Sequence, residues 1–483
     1  MIKIRSLILG LLCCLSGYSS QAFSFLGPFK TWQIKTVGYD PTIGDVGGPM
    51  TPGEGYRWNV PTIYYAFDRS FLEYFGPGGV AAVDEAFSYL NALPAASGMS
   101  ADLSEFPLNT RQVNYEAQAL GLTDLKSLMM GTILEELGLA SPEHFTWTLA
   151  ARVTVGTLPV TNYSVIRLNF DPITLTPSSY VNGALYSYYI AEVDRGGLVA
   201  TAAEIKIGDL RTAGFTSVAG GGDGGGSDQV LFAEQNPVGG GLSTAYVGAG
   251  VGEYYFGLTR DDVGGLRRLY GTHSMAVEAL LPGINTSAGG AWTPVGGTNA
   301  VGTNAVAPTL RPGVNKLSFQ KVIFDSVLGQ NLAPFASRYT DYYMTNSQVR
   351  SRSVSRQVIQ PDIIFTMADI QPFANDYIPS TLSRTTTAGW VNNSALNSGS
   401  AINPTFGARG GPGVIPPTVQ IVLNAMWPFA LNQNPGFSSE GTQYGRSIYG
   451  SFDGSTNAPV VYPIFAGFTV DTLRQLTVRQ PGQ

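Results

Sequence analysis

The densest group of titratable side chains in this sequence is Glu135, Glu136, Glu143 and His144. Carboxylates and an imidazole in so short a stretch could hold zinc or a harder cation. A metal site needs convergent ligands, however, and a glutamate pair near the C-terminal end of a helix normally reads as a solvated edge. The solvated edge is the expectation. The second histidine, His273, follows Tyr270-Gly271-Thr272 just past another helix, where the helix dipole favours an imidazolium. Its expected role is capping or surface exposure. Asp223 and Asp228 accompany the glycine tract 220–226, which is similar to a calcium-binding Gly/Asp loop. It occurs once and out of register with the nonapeptide repeat, so a flexible loop is the simpler reading.

Nucleophilic chemistry has little support. No G-x-S-x-G occurs, and Ser318-Phe-Gln-Lys321 is an isolated S-x-x-K inside a strand-like run, without its companion motifs. The aromatic groups Trp58, Tyr64, Tyr65 and Tyr186, Tyr188, Tyr189 could line a glycan or peptide groove. Alternating aromatics in strands usually belong to a core, and that is the reading preferred here.

The elements that would position these residues are partly legible. Between Val60 and Asp68, Ile63, Tyr65 and Phe67 alternate with Thr62, Tyr64 and Ala66, which predicts a strand. Val80, Val83, Phe87 and Leu90 form a helical stripe opposite Asp84, Glu85, Ser88 and Asn91, ended by Pro94. A second helix is expected from Asp124 to Leu139, with Thr123 as N-cap and Gly138 at its end. A third runs from Thr259, which has capping-box spacing to Asp262, through Val263, Leu266, Leu269 and Tyr270 to Gly271. Residues 276–310 shift to Gly, Thr, Asn, Ala and Pro, with the tandem 297–301 and 302–306, and read as a linker. Beyond it come strand-like runs only: 316–324, 355–365, 419–424 and 460–469.

Composition agrees with a turn-rich β character. Of 483 residues, 59 are glycine and 30 proline, and 13% are charged, with a net charge of −6. There is no basic stripe, which argues against nucleic acid as a partner. Lys3 and Arg5, the apolar run 7–15 and Ser20-Gln21-Ala22 make an export signal over 1–22. The run is too short for a transmembrane anchor. Both cysteines, Cys13 and Cys14, lie inside it, so disulfides and thiolate chemistry are excluded downstream, and the bulky leucines before them argue against lipid attachment.

Three segments together resemble the matrixin branch of the metzincin zinc proteases. Arg57-Trp58 through Tyr65 and Val83 through Phe87 resemble the family's opening strand and first helix. Thr259-Arg-Asp-Asp-Val-Gly-Gly-Leu-Arg-Arg-Leu-Tyr-Gly271 resembles its closing helix, and Leu137-Gly138-Leu139 sits where its metal-binding helix would end. That family binds zinc through H-E-x-x-H-x-x-G-x-x-H, its glutamate activating a metal-bound water. Laid on Leu137-Gly138-Leu139, the motif falls on Gly131, Thr132, Glu135 and Ser141, and none of the four residues is retained. With two histidines in the chain, a three-histidine site within one molecule is impossible, and no methionine lies between Met130 and Met275 for a methionine turn.

The resemblance therefore implies an α+β metzincin-like domain over 23–275 without its chemistry, joined by the 276–310 linker to an all-β, sandwich-like domain over 311–483. The expectation is an exported, non-catalytic protein with a binding or structural role at the cell surface, outside the cell or in the periplasm. Its partner would be an extracellular protein or glycan, with homo-assembly through the β domain a further possibility. No cofactor is expected. The alternative is an active secreted zinc endopeptidase of the matrixin type, using Glu135, Glu136, Glu143 and His144 as an atypical site.

Overall fold

The computed structural model describes residues 22–30, 33, 46–155, 160–193, 202–209, 215–220, 234–235, 250–281, 284–286, 308–368, 382–397, 412–424 and 448–463. The chain is mixed α+β, with few helices and many strands in small sheets. Its centre is a five-stranded sheet of β1 (Thr62–Phe67), β2 (Ser318–Lys321), β3 (Ile363–Ala368), β4 (Leu382–Arg384) and β5 (Val419–Asn424), in the order β2-β1-β3-β5-β4. The first four are parallel neighbours, with Ser318 opposite Thr62, Ile363 opposite Tyr65 and Val419 opposite Ile363, and β4 is antiparallel to β5.

Parallel strands are normally covered on both faces, and β1 follows that rule. On one face lies helix α1 (Arg69–Ala92), started by Asp68, whose carboxylate accepts from the Ser70 amide. Tyr65 stacks on Phe87 with ring centroids 3.9 Å apart, and Phe67 packs on Phe71 and Phe365. On the other face, Tyr64 meets Phe335 edge-on and donates its hydroxyl to Ser337 at 2.9 Å. These partners belong to a long hairpin, Phe335–Thr345 with Gln348–Val358. Its two-residue turn, Asn346-Ser347, has both φ values positive, as a primed hairpin turn requires.

Helix α1 is longer than its apolar stripe predicts. Val83, Phe87 and Leu90 are buried as expected. An extra N-terminal stretch from Arg69 is joined through a kink at Gly76 (φ 59°) and Pro77, where the sequence offered only breakers. Helix α2 (Leu125–Glu136) is capped by Asp124 rather than Thr123, because the Asp124 carboxylate reaches both the amide and the hydroxyl of Ser127, at 2.9 and 2.6 Å. Gly138 ends it at φ +95°, and a Cβ there would lie 2.2 Å from the Tyr56 carbonyl oxygen. Helix α3 (Arg260–Tyr270) has the expected capping box of Thr259 and Asp262. Among the described residues no helix is long and apolar enough to cross a membrane.

The expected separation into an N-terminal domain, a linker and a sandwich-like β domain does not match the sheets. Strand β1 lies between two strands from beyond residue 310. Tyr56–Arg57 pairs with Gly413–Val414, and Leu122–Asp124 pairs with Ile448–Gly450, both in parallel. Within the expected linker, Ala276–Glu278 pairs with Thr309–Arg311 and Ile284–Thr286 joins the long hairpin, while the tandem at 297–306 lies outside the described residues. Local periodicity reports strands but not distant partners, and parallel pairing needs long crossovers.

Arg57 fastens these layers together. Its buried guanidinium donates to Glu278 Oε1 at 2.8 Å, to the carbonyls of Leu269 and Ser274 at 3.0 and 2.7 Å, and to that of Arg311 at 3.3 Å. Arg311 in turn donates to the Glu278 carbonyl and grips Asp341 of the hairpin, which also pairs with Arg352. Breaking a buried pair from one side leaves an uncompensated charge. Arg57→Met is therefore expected to lower unfolding free energy by about 3–5 kcal/mol, measured by urea denaturation, and Glu278→Leu added to it should recover part of that loss.

Candidate functional site

The C-terminal end of α2 gathers the candidate residues. Trp58 is fully buried and donates its indole N–H to the Glu136 carbonyl at 2.8 Å. Tyr270, the last residue of α3, donates its hydroxyl to the Leu137 carbonyl at 2.9 Å and accepts from the Trp58 amide at 3.3 Å. Strand, helix end and closing helix thus meet where α2 would otherwise leave carbonyls without partners. After Gly138, Leu139–Ala140 pairs with Ser24–Gly27, and a single helical turn, Pro142–Phe145, carries Glu143 and His144.

Of the four motif positions, Gly131 and Thr132 are buried within α2, and the Thr132 hydroxyl donates to the Leu128 carbonyl at 2.8 Å. Glu135 is half-buried, and Ser141 is buried and donates to Glu143 Oε2 at 3.3 Å. The solvated-edge expectation fails here, because Glu136 and Glu143 are 0% and 3% exposed. What sequence treated as a helix rim is closed in, the turn at Pro142–Phe145 packing on the strands Ala202–Asp209 and Phe215–Gly220. Among the described residues, no three His, Cys, Asp or Glu side chains converge in a way that could hold a metal ion.

The surroundings are acidic and dry, and most of that was not visible in sequence. Asp261 and Asp262, legible only as first-turn residues of α3, are both buried. Asp261 accepts from the Asn182 amide at 2.6 Å, and its carboxyl is pushed well above the ordinary range, mainly by burial. Burial also raises the Tyr255 hydroxyl, with Glu143 and Glu253 adding to it. At the other end of α2, burial lifts Asp124 to about 6. Lys126 beside it pairs with Glu85 at 3.0 Å under the rings of Tyr89 and Tyr254.

The remaining candidates separate. His273 is at the surface, and its imidazolium is disfavoured, contrary to the helix-dipole argument. Partial desolvation comes first, then the charges of Arg268, Arg267 and Arg57, while the helix end itself is closed by the Gly271 amide on the Arg267 carbonyl. Ser318 and Lys321 serve opposite ends of β2. Ser318 bonds the Thr62 hydroxyl and the Pro61 carbonyl, Lys321 pairs with Asp84, and an odd separation on a strand places them on different faces. Trp58, Tyr64, Tyr65 and Tyr186 are core residues, whereas Tyr188 and Tyr189 reach the surface. Tyr188 there packs 4.8 Å from Trp147, whose face carries Arg167. Asp223 and Asp228 lie outside the described residues.

No protein family, curated protein or solved structure matches the chain. The site must be judged on its own chemistry. His144 offers a direct reading of its dryness: its Nε2 is buried, and desolvation lowers its pKa from 6.5 to about 4. A native pKa below the unfolded one means that the native state excludes the proton. The associated stability is complete above about pH 6.5 and is lost as pH falls toward 4. Relative to His144→Gln, which does not titrate, the wild type should lose on the order of 3 kcal/mol between pH 7 and 4, measured by urea midpoints across that range.

Proposed function

We propose that this chain is an exported, non-catalytic protein with a metzincin-like N-terminal region, acting in binding or structure at the cell surface or outside the cell. The observation that carries the reading is the use of the motif positions in α2. Gly131 has no ligand atom, and the hydroxyl of Thr132 is committed to the Leu128 carbonyl inside a buried helix. A general base and a first metal ligand cannot be supplied from these two positions. The leader over 1–22 and the absence of cysteine beyond it support export.

The binding role takes an extracellular protein or glycan as partner, and the exposed Tyr188 beside Trp147 and Arg167 is the aromatic surface suited to it. The test is the zinc content of the purified protein after dialysis against metal-buffered solution, together with cleavage of casein. The expected result is no stoichiometric zinc and no cleavage. About one zinc per chain with chelator-sensitive cleavage, both lost in Glu135→Ala, would overturn the proposal in favour of a zinc endopeptidase with unconventional ligands.

A further inference from the structure

We propose that the C-terminal end of α3 is a binding site for a doubly charged tetrahedral oxyanion, a sulfate or phosphate group, held by Arg268 and His273. This goes beyond the function proposed above and does not depend on it. Arg268 is half-buried, and among the described residues it has no hydrogen bond and no ion pair. The charge set against it is that of Arg57, another cation. A guanidinium has five N–H donors and keeps its charge at every ordinary pH, so a half-buried one without an acceptor leaves a requirement unfilled.

An arginine in the last turn of a helix commonly serves the end carbonyls. Here those carbonyls have other partners. The Arg267 carbonyl accepts from the Gly271 amide at 2.9 Å, that of Tyr270 from the Asn315 amide at 2.7 Å, and that of Leu269 from Arg57 at 3.0 Å. Arg57 also reaches the Ser274 carbonyl, which draws the segment 272–274 back across the helix end, and its own carboxylate partner is Glu278 at 2.8 Å. The His273 ring is folded onto Gly271, where a Cβ would lie 2.5 Å from Cε1 and 2.8 Å from Nδ1. Position 271 is one turn beyond 268, so the ring and the Arg268 guanidinium share one side of the helix end. Of the three arginines that disfavour the His273 imidazolium, Arg268 acts most strongly.

The donors select the ligand. The planar fork of Arg268 presents paired N–H groups to two oxygens of a sulfate, phosphate or carboxylate. His273 is exposed and can add a second positive charge, and Thr272 and Ser274 flank it in sequence with hydroxyls. Two charges match a doubly charged oxyanion better than a singly charged carboxylate. An anion between Arg268 and His273 replaces repulsion by attraction, so it favours the imidazolium, and binding takes up a proton at His273.

The chain has 2 histidines, so labelling histidine with carbon-13 at Cε1 gives one ring signal for each, and buried His144 serves as the internal control. The titration midpoint of His273 is read by NMR on the full-length protein in sodium sulfate and in sodium chloride of equal ionic strength. Sulfate is expected to raise it by roughly half a pH unit or more beyond the effect of chloride, with His144 unmoved. Arg268→Gln should raise the midpoint in the absence of sulfate, by removing a cation, and weaken sulfate binding about tenfold or more. Equal shifts in the two salts, or undiminished sulfate binding in Arg268→Gln, would overturn the proposal, and the comparison of salts stands on the wild type alone if the variant does not fold. Sodium acetate as effective as sulfate would overturn the choice of ligand. A sulfated disaccharide that binds more tightly than inorganic sulfate would support the site with a glycan as the source of the group, and equal affinity would support it with the free ion.

Discussion

One guanidinium sets the terms for much of this fold. Arg57 sits at the end of a two-residue strand, and all of its named bonds go to groups more than 200 residues away. They lie at the end of α3, in the chain just after it and in the strand pair that follows. A guanidinium cannot shed its charge in the interior, so every donor must find an acceptor. The carbonyls of Leu269, Ser274 and Arg311 are therefore held where they are by a charge that has no alternative. Through Arg311 and Asp341 the same constraint passes to the long hairpin, which in turn covers the outer face of β1.

The end of α2 shows a second economy of the same kind. Helix termini need partners for their last carbonyls, and here the partners are the largest polar-tipped side chains nearby, Trp58 and Tyr270. With Gly138 pressed against the Tyr56 backbone, no space remains at that end for a side chain to turn. Four acids of this region, Glu136, Glu143, Asp261 and Asp262, are buried. Burying carboxylates costs stability unless each is paired or hydrogen-bonded.

What the sequence disclosed was local. The stripe of Val83, Phe87 and Leu90, the capping box at Thr259, the glycine stop at 138 and the strand at 419–424 are all where spacing places them, because each rests on neighbours a few residues apart. The errors lie where a side chain chose between two nearby roles or where the partner was distant. Asp124 displaced Thr123 as cap since its carboxylate reaches two donors at once. The Asn346-Ser347 turn carries no glycine to announce it. Glu136 and Glu143 followed a polar pattern that burial overrode, and only tertiary contacts, such as those of the Pro142–Phe145 turn with the strands at 202–209 and 215–220, would have revealed it.

The order of the central sheet has a consequence for how the chain reaches this state. Strand β1 is complete only when β2 and β3 have arrived beside it, about 250 and 300 residues later in the chain. A nascent segment ending before residue 318 would present β1 with both edges bare and its aromatic faces half covered. Pairing over such separations closes large loops before any contact rewards them, so folding is slow and its intermediates are prone to aggregate. The first third of this protein is thus not a unit that matures by itself. It has to be kept from premature association until the last third is delivered, a demand on timing that follows from strand order alone.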